Sequence, residues 1–152
     1  MHDVPKVVSV HNANTLLNRI SESGMSEFHH RSQVGLLAYS PLAQGYLTGK
    51  YLDGARPPGA RTTLFERGQR YETEQAEEII RKYVNLANEY SMDPALMANS
   101  FVNDQDFVTS NIIGATTMEQ LKIAVGSIDT KLDEECLKKI EEIHYGCPNP
   151  CP

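Results

Sequence analysis

Apolar residues recur along this chain in two alternating rhythms, short β-branched runs and stripes with a period near 3.6. The first run, Val7-Val8-Ser9-Val10 after Pro5, predicts a buried strand. Asn12 to Arg19 reads as a polar turn that carries Leu16 and Leu17. A short helix follows near Gly24 to Arg31, with Met25 and Phe28 three apart. Gly35-Leu36-Leu37-Ala38-Tyr39 predicts the second strand. From Ser40 to about Tyr71 the chain is rich in Gly, Pro and Arg, and a loop of that length in a compact domain is functional or disordered.

Helical periodicity returns at Thr73. Ala76, Ile79, Ile80, Tyr83, Val84, Ala87 and Tyr90 form one apolar stripe. Asp93-Pro94 places an N-cap before a proline at the first helical position, and Leu96, Met97, Ser100 and Phe101 carry that helix to about Val102. Phe107-Val108 and Ile112-Ile113 mark a third strand ending at Gly114. The next helix has two capping boxes open to it, Thr116 with Glu119 or Thr117 with Gln120, and carries Leu121, Val125 and Ile128. The last helix starts at Asp133, with Leu132 and Leu137 placed as a hydrophobic staple and Ile140 and His144 at helical spacing.

Strands that alternate with helices predict an α/β fold with parallel strands joined by crossovers. Three strands leave two bare edges and little core for 152 residues. The sheet is therefore a piece of a larger one, or it pairs with another copy. Residues 1–145 form one unit, and residues 146–152 a Pro/Cys-rich tail.

Composition narrows the function. The net charge of −6 offers nothing to neutralise a run of phosphates, so no nucleic-acid partner is expected. No apolar run approaches the roughly 20 residues that span a bilayer, and Met1 to Lys6 lacks a signal-peptide pattern, so no membrane partner and a cytoplasmic setting are expected. Cys147 and Cys151 could form a disulfide or half a metal site; a frayed terminus is the plainer reading.

The chemistry-bearing residues fall where the strands end. His11-Asn12, Tyr39 to Gly45 and Gly114-Ala115-Thr116-Thr117 each follow a strand, and in parallel α/β folds ligands bind at those carboxyl ends. Gly114 lets a ligand approach the backbone, and the free N–H groups of the following helix favour an anion; a plain capped helix after a tight turn fits the same residues. Lys50 and Arg61 could meet a phosphorylated ligand or be solvated charges. Tyr39 could stack on a flat ring or sit in the core.

Two long motifs extend this picture. Ala38-Tyr39-Ser40-Pro41-Leu42-Ala43-Gln44-Gly45-Tyr46-Leu47-Thr48-Gly49-Lys50-Tyr51 resembles the segment after the seventh strand of an aldo-keto reductase barrel. Ile112-Ile113-Gly114-Ala115-Thr116-Thr117-Met118-Glu119-Gln120-Leu121 resembles the eighth strand and the start of its helix, and Val7 to Arg19 the sixth strand and its loop. Within that family the likeness is to the Tas-like reductases, related to potassium-channel β subunits.

The resemblance implies a partial TIM (β/α)8 barrel: about the last three β/α units plus a C-terminal helix. It implies NADP(H) as cofactor and NADPH-dependent carbonyl reduction by the full-length family. Tyr39 would stack on nicotinamide. Ser40, Pro41, Leu42, Gly45, Leu47 and Lys50 would line the pyrophosphate, with Arg61 a basic residue near the cofactor. Gly114, Thr116 and Gln120 would contact the adenosine 2′-phosphate end.

The catalytic tetrad of the family lies before the part resembled here, so none of it is assigned. The resemblance therefore implies a chain that does not turn over alone and meets a carbonyl substrate only when completed by the missing half. A non-enzymatic assembly module, self-associating through open sheet edges, is the alternative. Two positions depart from the pattern: His11 stands where relatives carry Gln, and Ala124, after Ile123, where they carry a polar residue, usually Asn.

Overall fold

A computed structural model describes residues 5–65 and 69–151. Met1 to Val4, Gly68 and Pro152, all of which entered the sequence reading, lie outside them. Three strands, β1 (Ser9–Ala13), β2 (Gly35–Tyr39) and β3 (Val108–Ile112), form one sheet in the order β1-β2-β3. Both pairings are parallel, as the alternation predicts.

The first strand begins later than expected. Val7 and Val8 are 61% and 76% exposed, and pairing starts at Ser9 opposite Gly35. Position, not composition, decides this: among the described residues β1 has a strand neighbour on one side only, so the apolar run before it lacks a surface to pack against.

The core lies on one side of the sheet, under α3 (Glu74–Glu89), α4 (Pro94–Asn103) and α6 (Glu134–Gly146). Helix α3 is its centre. Ala76, Ile79, Ile80, Tyr83 and Ala87 of the expected stripe are buried, and Thr73 caps the helix by accepting from the Ala76 N–H. Asp93 caps α4 through the Ala95 and Leu96 N–H groups, with Pro94 at the first turn, and Asp133 caps α6 through Cys136 N–H. Leu132 is buried and Leu137 packs partly buried against the core.

The Asn12–Arg19 segment is a turn, but Asn14 to Arg19 are all buried, with Leu16 and Leu17 in the core. Arg19, 7% exposed, binds Glu22 at 2.6 Å and Glu141 at 2.7 Å and lies 5.0 Å from the Phe101 ring centroid. Burial pulls its pKa down, but the two carboxylates outweigh that and hold it above the ordinary arginine value.

The expectation of a frayed tail is overturned. Cys151 is fully buried in the core, and Asn149 Oδ1 accepts the Arg19 N–H at 2.7 Å. All three cysteines are free thiols, and among the described residues no three His, Cys, Asp or Glu side chains gather as a metal site. The tail is held because the Asn14–Arg19 turn has polar groups that need partners and Asn149 supplies one.

Helix α1 (Met25–Ser32) forms where the spacing of Met25 and Phe28 predicts it. Near its end His30 is exposed, whereas His29 is 5% exposed with Nδ1 2.8 Å from the Val34 carbonyl oxygen. The stretch from Ser40 to Tyr71 is largely folded. It contains 3-10 turns at Ala43–Thr48, Leu52–Gly54 and Gln69–Tyr71 and the short helix α2 (Arg61–Phe65). Stacked tyrosines organise it: the Tyr46 ring lies 4.6 Å from Tyr51 and 5.2 Å from Tyr71.

Helix α5 (Met118–Gly126) leaves Met118, Leu121 and Val125 exposed, as is Ile128 in the turn after it, while Ala124 and the C-cap Ser127 are buried. Its end is tied to α4 by hydrogen bonds: Asn103 Nδ2 donates to Ser127 Oγ at 2.9 Å, and Ser100 Oγ to the Ser127 carbonyl at 3.3 Å.

Candidate functional site

Parallel pairing places Ala13 beside Tyr39 and Tyr39 beside Ile112, so the carboxyl ends of all three strands form one face. The three loops singled out in the sequence leave from that face.

The second loop is the most structured. Tyr39 is 39% exposed at the strand end. Ser40, Ala43 and Gln44 then adopt left-handed backbone angles, an arrangement that non-glycine residues enter only when packing over-determines it. Closing bonds run from Ala43 N–H to the Ser40 carbonyl and from Gly45 and Leu47 N–H to the Leu42 carbonyl. Pro41, Gly45 and Leu47 are buried, and Ser40, Leu42 and Lys50 half-buried.

Gly45 has φ +95°, and a Cβ there would lie 2.9 Å from both Cε and Nζ of Lys50. The lysine therefore folds back beneath the loop, its ammonium 5.2 Å from the Tyr51 ring centroid. Among the described residues neither Lys50 nor Arg61 is ion-paired. In a chain of net charge −6, two cations left without carboxylates are available to an anion.

The same loop holds groups that sequence reading passed over. Gln44 Oε1 and Thr63 Oγ1 are buried without hydrogen-bond partners. Their types are ordinary in a polar loop, so nothing in the sequence sets them apart. Tyr46 donates its hydroxyl to Glu72 Oε1 at 2.5 Å, and Glu72 also binds Arg56 at 2.8 Å. Burial first, then the bond to Glu72, pushes the Tyr46 hydroxyl up to about 12.

In the third loop Thr117 caps α5, which settles the choice between the two threonines: its Oγ1 accepts the Gln120 N–H at 3.2 Å. Thr116 and Gln120 meet. Gln120 Oε1 accepts from the Thr116 backbone N–H at 2.9 Å and from its hydroxyl at 3.1 Å. A Cβ at Gly114 would meet open space. The whole stretch from Gly114 to Gln120 is exposed.

The three loops share one face, but no hydrogen bond among the described residues ties Arg61 or the Gly114–Gln120 stretch to Ser40–Lys50. Two clefts lie elsewhere. One sits behind the second loop among Tyr46, Tyr51, Arg56, Tyr71 and Glu72, the other between α1 and the start of β3. None of the eleven sequence-derived site residues lines either cleft. The face is an open surface with its polar groups set along one edge of the sheet.

His11 is exposed on β1, and Ala124 is buried with no polar atom to offer beyond its backbone. No helix among the described residues is long and apolar enough to cross a membrane.

Comparison with known proteins agrees with this arrangement. Residues 1–144 match the model of the Aldo/keto reductase family. The chain is 47% identical over 151 residues to Protein tas of Escherichia coli (strain K12), covering 99% of this chain and 44% of that protein. It is 35% identical over 122 residues to L-glyceraldehyde 3-phosphate reductase of the same organism, covering 75% of this chain and 34% of that protein. A putative voltage-gated potassium channel subunit beta of Schizosaccharomyces pombe is 34% identical over 116 residues, covering 72% of this chain and 33% of that protein. The chain thus spans less than half the length of the curated relatives it matches.

Proposed function

Because this chain belongs to the aldo/keto reductase family, we propose that it supplies the nicotinamide-nucleotide side of a carbonyl-reducing (β/α)8 enzyme, with NADP(H) as the nucleotide and the cytoplasm as its setting. The observation that carries this reading is the unpaired Lys50 ammonium folded beneath a left-handed, glycine-closed loop at the carboxyl end of the sheet. A phosphate group satisfies such a cation without a carboxylate competing for it.

The residues present fit a dinucleotide. Tyr39, half-exposed at the strand end, offers a ring for nicotinamide. Ser40, Pro41, Leu42, Gly45, Leu47 and Lys50 follow the pyrophosphate, and Arg61 adds a second charge. Gln44 Oε1, buried and unpartnered, is free to accept from a ligand N–H or O–H. Gly114, Thr116 and Gln120 take the 2′-phosphate end, where the Thr116 N–H and hydroxyl now satisfied by Gln120 are the donors on offer. When bound, the nucleotide supplies the hydride; these residues hold and orient it and do no acid–base work. His11 and Ala124 each remove a polar contact relative to the family pattern, costing about 1 kcal/mol of binding apiece.

Carbonyl reduction also needs a proton donor at the substrate oxygen. None is assigned in this chain, so turnover is expected only from a completed barrel. NADPH titration by nucleotide fluorescence tests the reading. Saturable binding, weakened about tenfold or more by Lys50→Ala and by Arg61→Ala, is the expected result. An absence of saturation by the intact chain would sink it. The favoured alternative would then be a non-enzymatic assembly module, to which the outward apolar face of α5 points.

A further inference from the structure

The folded tail carries two thiols that the nucleotide reading leaves unused. Cys147 follows the last residue of α6, and Cys151 comes four positions later, with Pro148-Asn149-Pro150 between them. The prolines hold their own φ at about −65°, and Asn149 between them has φ 50°. The chain bends at Cys147, Pro148 and Pro150, so both cysteines turn to the same core. Cys147 packs partly buried against the cluster of which Cys151 is a fully buried member.

The two sulfurs differ in access. Cys147 is half-buried, and Gln75 Nε2 donates to its Sγ at 2.9 Å, which fixes that sulfur beside the start of α3. Cys151 is 0% exposed, and its backbone carbonyl accepts from Asn18 Nδ2 at 3.5 Å. Each lies within reach of the other's charge: burial first, and then Cys147, holds the Cys151 thiol above its ordinary value. Cys136 is set apart, buried near the opposite end of α6, about 16 Å along the helix from Cys147. An accessible thiol backed by a sheltered one is the arrangement in which the first takes an oxidant and the second resolves it.

We propose that Cys147 and Cys151 are a reversible peroxide-reactive pair, in which Cys147 takes the oxidant and Cys151 closes an intramolecular disulfide. In the first step the Cys147 sulfur attacks one oxygen of a hydroperoxide. The S–O bond forms, the O–O bond breaks, and the departing oxygen leaves with the thiol proton, as water when the oxidant is hydrogen peroxide. In the second step the Cys151 sulfur attacks the sulfenic sulfur of Cys147. The S–S bond forms, the S–O bond breaks, and hydroxide leaves as water with the Cys151 proton. The two thiols together lose two electrons and two protons, and hydrogen peroxide is reduced to two waters. A dithiol restores both thiols by exchange, and closure keeps Cys147 from the irreversible sulfinic state.

The test treats the folded, full chain with hydrogen peroxide and follows by mass spectrometry the tryptic peptide after Lys139, which carries both tail cysteines. In the intact chain that peptide should lose two hydrogen atoms, recover them with a dithiol, and leave Cys136 unmodified. Cys151→Ala keeps an apolar side chain in the core; its Cys147 should instead gain one oxygen, captured by a 1,3-diketone. In folded Cys147→Ser, checked by circular dichroism, Cys151 should react about tenfold or more slowly than it does in urea. The intact chain alone decides whether the disulfide forms, and the variants decide the order of the two steps. A tail peptide unchanged while a free-thiol control is consumed overturns the proposal. So does sulfinic acid accumulating on Cys147 in the intact chain, or a disulfide that joins two copies. Cys151 reacting as fast in folded Cys147→Ser as in urea overturns it too, because the buried thiol would then need no partner.

Discussion

Gly45 and Lys50 are locked to each other: a single added carbon on the glycine would stand 2.9 Å from both the Cε and the Nζ of the lysine. The backbone at Gly45, φ +95°, excludes other residues independently of that contact.

Gly45→Ala is therefore expected to cost about 1–2 kcal/mol, mostly through the backbone angle, because the lysine end can swing away. The melting temperature should fall by about 2–8 °C. NADPH affinity should fall with it, since the displaced ammonium leaves its place beneath the loop. Gly114→Ala is the contrasting variant. Its Cβ meets nothing within 4 Å, and thermal melting should shift by less than about 2 °C.

The tail contributes to stability instead of hanging free. Removing residues 146–152 takes away the Asn149 acceptor of the Arg19 N–H and the buried Cys151. The expected loss is about 2–3 kcal/mol, from one small apolar side chain and the hydrogen bonds that Asn18, Arg19 and Gln75 make to the tail. Urea unfolding measures it; a midpoint unchanged by the truncation would mean the tail is not docked in solution.

The thiols should separate by exposure and by pH. Cys147 is half-buried, whereas Cys136 and Cys151 are fully buried, so a thiol reagent should label Cys147 first and the other two only on unfolding. Burial first, then the neighbouring Cys147, pushes the Cys151 thiol up to about 11 from 9.0. The folded state thus keeps a proton that the unfolded chain releases. Stability from this group is complete below pH 9 and declines as pH rises through 11. Replacing Cys151 by Ser should flatten the alkaline arm of a urea-midpoint profile; an arm that keeps its slope assigns the decline to other groups.

Much of the fold was legible because it follows from local patterns. The caps at Thr73, Asp93 and Asp133 each needed only a short polar side chain before a periodic run. The stripe of α3 repeats for four turns, so its buried face could be read directly. Two long motifs, one with Gly45 and Lys50 and the other with Gly114, Thr116 and Gln120, were legible as marks of a family, and the comparison bears out that family.

By itself, then, the sequence determined the α/β alternation, the parallel order, the helix starts and the family. Neighbours decided the rest. Val7-Val8 reads as a core strand in any α/β protein, yet stands exposed because, among the described residues, β1 lacks a partner on its outer edge. Leu121 and Val125 stand at helical spacing in α5, and only the structure shows that they face outward while bonds from Ser100 and Asn103 to Ser127 tie the helix end to α4. Cys151 reads as part of a loose proline-rich end, yet is buried because the turn at Asn18 and Arg19 presents polar groups to it. Burial is a property of what stands opposite a residue, and an unfolded string of letters does not contain that opposite surface.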